Sequence, residues 1–194
     1  PIASLKLYLQ TMTRHSVDAQ QQQDFHQFML EDVERLDLLI NHLLDAARID
    51  RGGDVGDDEL VRLDELLKQC GSSICVRYRL SEETVTIKSE HILLRSRLIQ
   101  LEILFRNLID NAVKYSGAKP EVKVQVRLTD DQNVVVSIID NGPGIPANQR
   151  RKIFGRFIRL GNELERSTPG TGLGLYLVRN VVKSLGGSIR LQDR

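Results

Sequence analysis

The chain has 194 residues, 41% hydrophobic and 27% charged, which fits one globular domain or one domain with a small appendage and excludes a disordered chain. No apolar run reaches the roughly 18 residues of a membrane-spanning helix, and no signal peptide is visible. Two cysteines, Cys70 and Cys75, are too few for a disulfide framework or a four-ligand zinc site and suit a reducing compartment. Trp is absent and aromatics make only 5%, which argues against a stacking platform for single-stranded nucleic acid. The net charge of +1 hides an asymmetry: residues 1–57 carry five basic and ten acidic side chains, the remainder 22 and 16. Two segments with different work are expected, and the basic one favours an anionic ligand.

Residues 1–14 read as a helix with Ile2, Leu5, Leu9 and Met12 at spacings of three and four. Residues 15–18 form a turn, and Asp18 with Gln21 resembles a capping box. A long helix follows to Asp50, with Met29, Val33, Leu36, Ile40, Leu43 and Ala47 alternating steps of four and three, the 3.5-residue period of bundles. Gly52-Gly53 stops it. Two helices alone cannot bury such a seam, so a second copy making a four-helix bundle is expected over packing on the same chain. The glycine-rich, acidic stretch 52–59 reads as a linker between a hairpin over 1–51 and a second domain over 60–194.

In the second domain Leu63–Cys70 reads as helix, Thr84–Lys88 and His91–Leu94 as short strands, and Arg97–Tyr115 as a long helix. Glu121–Thr129 alternates, with Val122, Val124, Val126 and Leu128 on one face. Val134–Ile139 is nearly all apolar, the pattern of a strand in the middle of a covered sheet. Gly172–Leu185 is a further helix stopped by Gly186-Gly187, and Ser188–Leu191 a final strand. The expected class is α+β, a helical hairpin followed by an α/β sandwich with helices on one face of a mixed sheet.

Four constellations carry chemistry. Asn107 and Asn111 lie four apart on one helix face, where two amide oxygens suit a hard cation such as magnesium; Lys114 comes next as a point charge for phosphate. Taken alone, this is more simply a helix with surface Asn. Asp140-Asn141-Gly142-Pro143-Gly144-Ile145-Pro146 closes a buried strand. Its Asp is placed to accept from an exocyclic amine and its glycines allow close backbone approach, although a plain tight turn explains it equally well. Gly170-Thr171-Gly172-Leu173-Gly174-Leu175 opens a helix, whose free amides and dipole suit phosphate; it matches neither the Walker nor the Rossmann spacing. Ile153-Phe154-Gly155-Arg156-Phe157-Ile158-Arg159 precedes the polar stretch 160–169, and its two phenylalanines suit an anchor for a mobile lid or a simple core contact.

In this order the four segments resemble the N, G1, F and G2 boxes of sensor histidine kinases, in the GHKL superfamily with its Bergerat fold. The resemblance spans about residues 60–191, and the hairpin resembles the dimerisation and histidine-phosphotransfer domain. It implies ATP and magnesium as cofactors. Asn107 and Asn111 would hold the metal and phosphate oxygens; Lys114 and Tyr115 would support phosphate and nucleotide; Asp140 would read adenine, with Gly142, Gly144 and Ile145 giving the backbone room. Phe157 would flank the nucleotide, residues 159–169 would form the lid, and Gly170, Thr171, Gly172, Leu173, Gly174 and Leu175 would cradle phosphates. Asn107, Lys114 and Arg159 would be the catalytic set. ATP-hydrolysing relatives carry Glu where Asn107 stands; an amide is no general base, which favours phosphoryl transfer to a side chain over hydrolysis.

The family's acceptor motif, a His with an acidic residue next to it and a Pro five positions on, is absent: Pro1-Ile2-Ala3-Ser4-Leu5 resembles the stretch of the first bundle helix just beyond that His. His15, His26, His42 and His91 lack the motif's pattern and are expected to be structural or solvated. The chain is therefore expected to be a piece that binds ATP without phosphorylating itself. The resemblance also implies a homodimer through the hairpin, a response-regulator receiver domain as partner, no nucleic acid, and a cytoplasmic location, with any membrane anchor outside this chain. A GHKL ATPase, a serine kinase, and a silent dimerisation scaffold are the competing readings; the hairpin and Asn107 argue against the first two, the intact boxes against the third.

Overall fold

Heptad-like spacing at the start of the chain and alternating strands after it produce two differently built parts. The computed structural model describes residues 1–50, 58–131, 133–159 and 170–192. Helices α1 (Ile2–Arg14) and α2 (Ala19–Asp50) form the hairpin. The capping box is present: Asp18 Oδ1 accepts from the Gln21 amide at 2.7 Å, and Gln21 Oε1 accepts from the Asp18 amide at 3.4 Å. Tyr8 of α1 stacks on Phe25 of α2 at 5.3 Å between ring centroids, yet α1 has no buried residue. On α2 the seam positions Val33, Ile40 and Leu43 stay 51%, 56% and 58% exposed. The hairpin thus leaves an apolar stripe in solvent. Gly52-Gly53 and most of the expected linker lie outside the described residues.

The second part has a three-stranded mixed sheet in the order β2 (Val85–Lys88), β4 (Val122–Leu128), β5 (Val134–Asp140), parallel between β2 and β4 and antiparallel between β4 and β5. A separate antiparallel pair joins β1 (Glu59–Arg62) to β3 (Leu93–Ser96). Helices α3 (Leu63–Tyr78), α4 (Leu98–Tyr115) and α5 (Gly174–Ser184) pack on one face of the sheet. The alternation of β4 explains the one-sided cover: Val122, Val124 and Val126 are buried, Lys123, Gln125 and Arg127 exposed. Leu63, Leu67, Ile74, Ile109, Leu177, Val178 and Val181 close the core from the helices.

Several elements depart from expectation. Strand β5 lies at the edge of its sheet among the described residues, with every residue half-buried; Val134, Val136 and Ile138 pack on the core, and its other apolar residues face away because side chains alternate. Leu128 is 48% exposed, since β4 ends there and the chain turns through Thr129, whose amide bonds the Asn133 carbonyl at 2.8 Å. Helix α3 runs on past Cys70 to Tyr78 because tertiary burial of Ile74 and Cys75 overrides the weak helix formers Gly71, Ser72 and Ser73. Strand β1 begins inside the expected linker, and β3 sits two residues beyond the expected His91–Leu94 because it pairs with β1. Ser188–Leu191 forms no strand, although Ile189 packs on the core. Helix α5 begins at Gly174, two residues later than expected.

Ile109 is fully buried. Ile109→Ala is expected to lower unfolding free energy by about 2–5 kcal/mol, read as a fall in urea midpoint with an unchanged slope.

Candidate functional site

The polar face of α4 meets the start of α5. Asn107 is 6% exposed, and its Nδ2 donates to the Ile103 carbonyl at 2.8 Å. That bond fixes the amide so that Oδ1 faces α5: a Cβ on Gly174 would lie 2.8 Å from Asn107 Oδ1 and 3.7 Å from Asn111 Nδ2. The two carboxamides therefore converge, as the spacing of four requires. Asn111 Nδ2 is buried and has no hydrogen-bond partner among the described residues. A buried amide left so costs about 1–3 kcal/mol, a cost that a ligand at this point would relieve; turned over, the same amide offers its oxygen there.

One turn further along α4, Lys114 Nζ lies 3.4 Å from Asp110 Oδ2, both side chains mostly buried. Asp110 Oδ1 in turn accepts from the Tyr78 hydroxyl at 3.0 Å, and burial together with the Asp110 charge pushes the Tyr78 phenol well above its usual pKa. Lys114 is thus held in place. A Cβ on Gly170 would meet Arg159 Nε at 3.8 Å, Lys114 Nζ at 3.9 Å and the Tyr115 hydroxyl at 3.9 Å. Two cations and a phenol gather at the turn that leads into the amino end of α5, where the helix dipole adds positive potential.

Asp140 ends β5. Its Oδ1 accepts from the Gly142 amide at 2.8 Å, leaving Oδ2 for another donor. A side chain at 142 would press to 2.7 Å from that oxygen and from the Tyr115 carbonyl, so the turn lies directly against the end of α4. Asn141 fastens the turn, accepting from the Glu121 amide and donating to the Lys119 carbonyl, each at 2.9 Å. Gly144 has φ 75°, and Ile145 is half-buried.

Gly172 has φ 71°, and a Cβ there would sit 2.7 Å from the Phe157 carbonyl carbon and 2.9 Å from Ile158 N. Thr171 Oγ1 accepts from the Leu173 amide at 3.2 Å; Leu173 is buried and Leu175 half-buried. The expected pair of anchoring phenylalanines needs correction. The short 3-10 helix covers only Lys152–Phe154 and ends at Gly155, so Phe157 is off that helix, at φ 60° and 64% exposed. Ile153 is the buried anchor, helped by the Arg156 guanidinium 4.6 Å over the Tyr176 ring. Residues 160–169 of the expected lid lie outside the described residues.

Four participants escaped the sequence. Asp110 stands four residues before Lys114 and was legible as a helix ion pair. Tyr78, His42 and Asp45 were not, since their partners lie far along the chain: His42 Nδ1 is 2.7 Å from Thr171 Oγ1 and Asp45 Oδ2 is 2.7 Å from Arg106 Nη2. His91, the other histidine with a tertiary partner here, is bonded to Asp64 at 3.0 Å.

A half-covered mixed sheet with paired carboxamides at a glycine-opened helix defines an α/β sandwich with a polar site at the amino end of α5. The family model described as histidine kinase-, DNA gyrase B- and HSP90-like ATPase matches residues 97–194, and the His Kinase A (phospho-acceptor) domain model matches residues 1–52. The chain belongs to this ATPase family, and its hairpin matches the phospho-acceptor domain model of histidine kinases. It is 34% identical to the sensor protein KdpD of Escherichia coli K12 over 97% of this chain and 20% of KdpD. It is also 34% identical to the signal transduction histidine-protein kinase/phosphatase MprB of Mycobacterium leprae, over 90% of this chain and 32% of MprB. The chain thus spans a third or less of these relatives. The solved structure of the Acinetobacter baumannii histidine kinase AdeS shares the fold at TM-score 0.69 and 22% identity, covering 95% of this chain and 84% of that one.

Gly172→Ala is expected to cost about 1–3 kcal/mol through its positive φ, and to displace the Phe157–Ile158 backbone; a thermal melt together with amide exchange at residues 157–158 checks both.

Proposed function

We propose that the chain is the nucleotide-binding and dimerising part of an ATP-dependent protein-histidine kinase, in which the γ-phosphoryl group passes to a His of the bundle helix and on to a response-regulator Asp. The observation that carries this is the convergence of Asn107 and Asn111 on the Gly174 end of α5. Asp140 Oδ2 accepts a hydrogen bond from the exocyclic amine of adenine, with Gly142, Gly144 and Ile145 beside the ring. Lys114, Tyr115 and Arg159 meet the phosphates around Gly170, and the turn Thr171–Leu175 offers amides to them. Asn107, an amide anchored to its own helix, holds an oxygen without taking a proton, so no water is activated there and transfer is favoured over hydrolysis.

Turned over, the Asn111 carboxamide, whose buried Nδ2 has no hydrogen-bond partner among the described residues, offers its oxygen as a magnesium ligand, with Asn107 beside it. Magnesium, when bound, neutralises phosphate charge. Phe157, exposed and left-handed, serves as the entry to the lid rather than as an anchor. The work takes place in the cytoplasm, where ATP is supplied; no helix among the described residues is long and apolar enough to cross a membrane.

Binding of a non-hydrolysable ATP analogue, measured by calorimetry with and without magnesium, tests the site. The wild type is expected to bind with magnesium-dependent affinity, and Asn111→Ala to lose that dependence; full retention would overturn the metal assignment. The exposed seam of α2 pairs with a second copy, burying hydrophobic side chains in a four-helix bundle. Ile40→Glu combined with Leu43→Glu is expected to yield a monomer by light scattering, and a dimer that persists would remove the seam from the interface.

A further inference from the structure

One stripe of α2 faces the nucleotide turn instead of the exposed seam. His42, Asp45 and Ala46 lie at positions i, i+3 and i+4, so they share a face. Ala46 packs on the core of the second domain. Asp45, 3% exposed, takes Arg106 Nη2 at 2.7 Å, and Arg106 immediately precedes Asn107. His42 Nδ1 lies 2.7 Å from Thr171 Oγ1. Thr171 Oγ1 also accepts from the Leu173 amide, and Leu173 is the N-cap residue of α5.

These bonds occupy groups that a phosphate would use. With the imidazole accepting, the Thr171 hydroxyl donates to His42 Nδ1, while its oxygen accepts from the Leu173 amide. Two donors of the glycine-rich turn are then spent inside the protein. We propose that α2 acts as an intramolecular brake on nucleotide binding: His42 and Asp45 hold the helix against the glycine-rich turn, and nucleotide binds more tightly when that face is released. The inference rests on the nucleotide site assigned above. It adds that the hairpin and the phosphate turn are coupled, each change in one altering the other by the same free energy.

The groups facing His42 support the direction. Burial lowers its pKa from the ordinary 6.5; Asp45 on its own helix opposes this, Lys114 and Arg106 of α4 lower it further, and Asp110 of α4 raises it. Docking therefore favours the neutral ring. The docked arrangement is fully favoured above 6.5, where the ring is neutral in both arrangements. It weakens as pH falls below that value, because the released ring takes up a proton that the docked ring resists.

The test compares the affinity of wild type, His42→Ala and Asp45→Ala for a magnesium-bound, non-hydrolysable ATP analogue at pH 7.5 and 5.5. At pH 7.5 each variant is expected to bind about three- to tenfold more tightly than wild type, the range of one lost hydrogen bond. At pH 5.5 the advantage of His42→Ala is expected to shrink. Equal or weaker binding by both variants at pH 7.5 would overturn the brake. If wild type binds with magnesium dependence and the variants match it, the brake alone fails; if none of the three binds, the nucleotide site fails with it. Amide exchange on the wild type removes dependence on variant folding: saturating analogue is expected to speed exchange in residues 40–47, and slowed or unchanged exchange there would also overturn the proposal.

Discussion

The close approach of α5 to the polar face of α4 holds the site together. Gly174 lets the first turn of α5 sit where any side chain would strike the Asn107 amide. Asn107 can face that turn only because its own Nδ2 is bound back to Ile103. This contact sets the other distances. Lys114, Tyr115 and the end of β5 are placed by the remaining turns of α4, and Leu177, Val178 and Val181 of α5 are buried on the same core that fixes α4. A cluster of polar groups on this surface therefore has the rigidity of a hydrophobic core behind it.

Charge is arranged in the same economical way. Asp110 is partnered by Tyr78, Arg77 and Lys114, so the lysine nearest the phosphate turn is oriented by a carboxylate that is itself anchored. Asp45 and Arg106 make a second buried-side pair linking the hairpin to α4. Breaking either leaves a charge in a low-dielectric setting, which is costly. The hairpin is consequently a participant in the electrostatics of the site, and its two faces have distinct work, one apolar and exposed, the other polar and docked.

Much of the site was legible because its pieces are local. The Asn107–Asn111 spacing, the Asp140–Pro146 turn and the glycines of 170–174 each state their conformational needs within a few residues. The helices were legible from periodicity, and the capping box at Asp18 from two residues. Strand β1 was not legible, since the four residues Glu-Leu-Val-Arg carry too little pattern to stand out from the acidic glycine-rich stretch before them, and the expected linker took in its first residue. The spacing of Phe154 and Phe157 suggests one helical face, but the 3-10 helix ends at Gly155 and separates them.

By itself the sequence determined the helices, the strands of the three-stranded sheet, the order of the carboxamide and glycine-rich segments and the chemistry each offers, because those depend on periodicity, turn residues and side-chain type. Tertiary structure alone decided that β5 lies at the sheet edge among the described residues, that α3 continues to Tyr78, and that His42 and Asp45 reach Thr171 and Arg106. Those outcomes rest on packing between residues as many as 129 positions apart. A one-dimensional pattern carries no record of which faces meet; that is settled only when the cores close and bring the polar groups behind them into register.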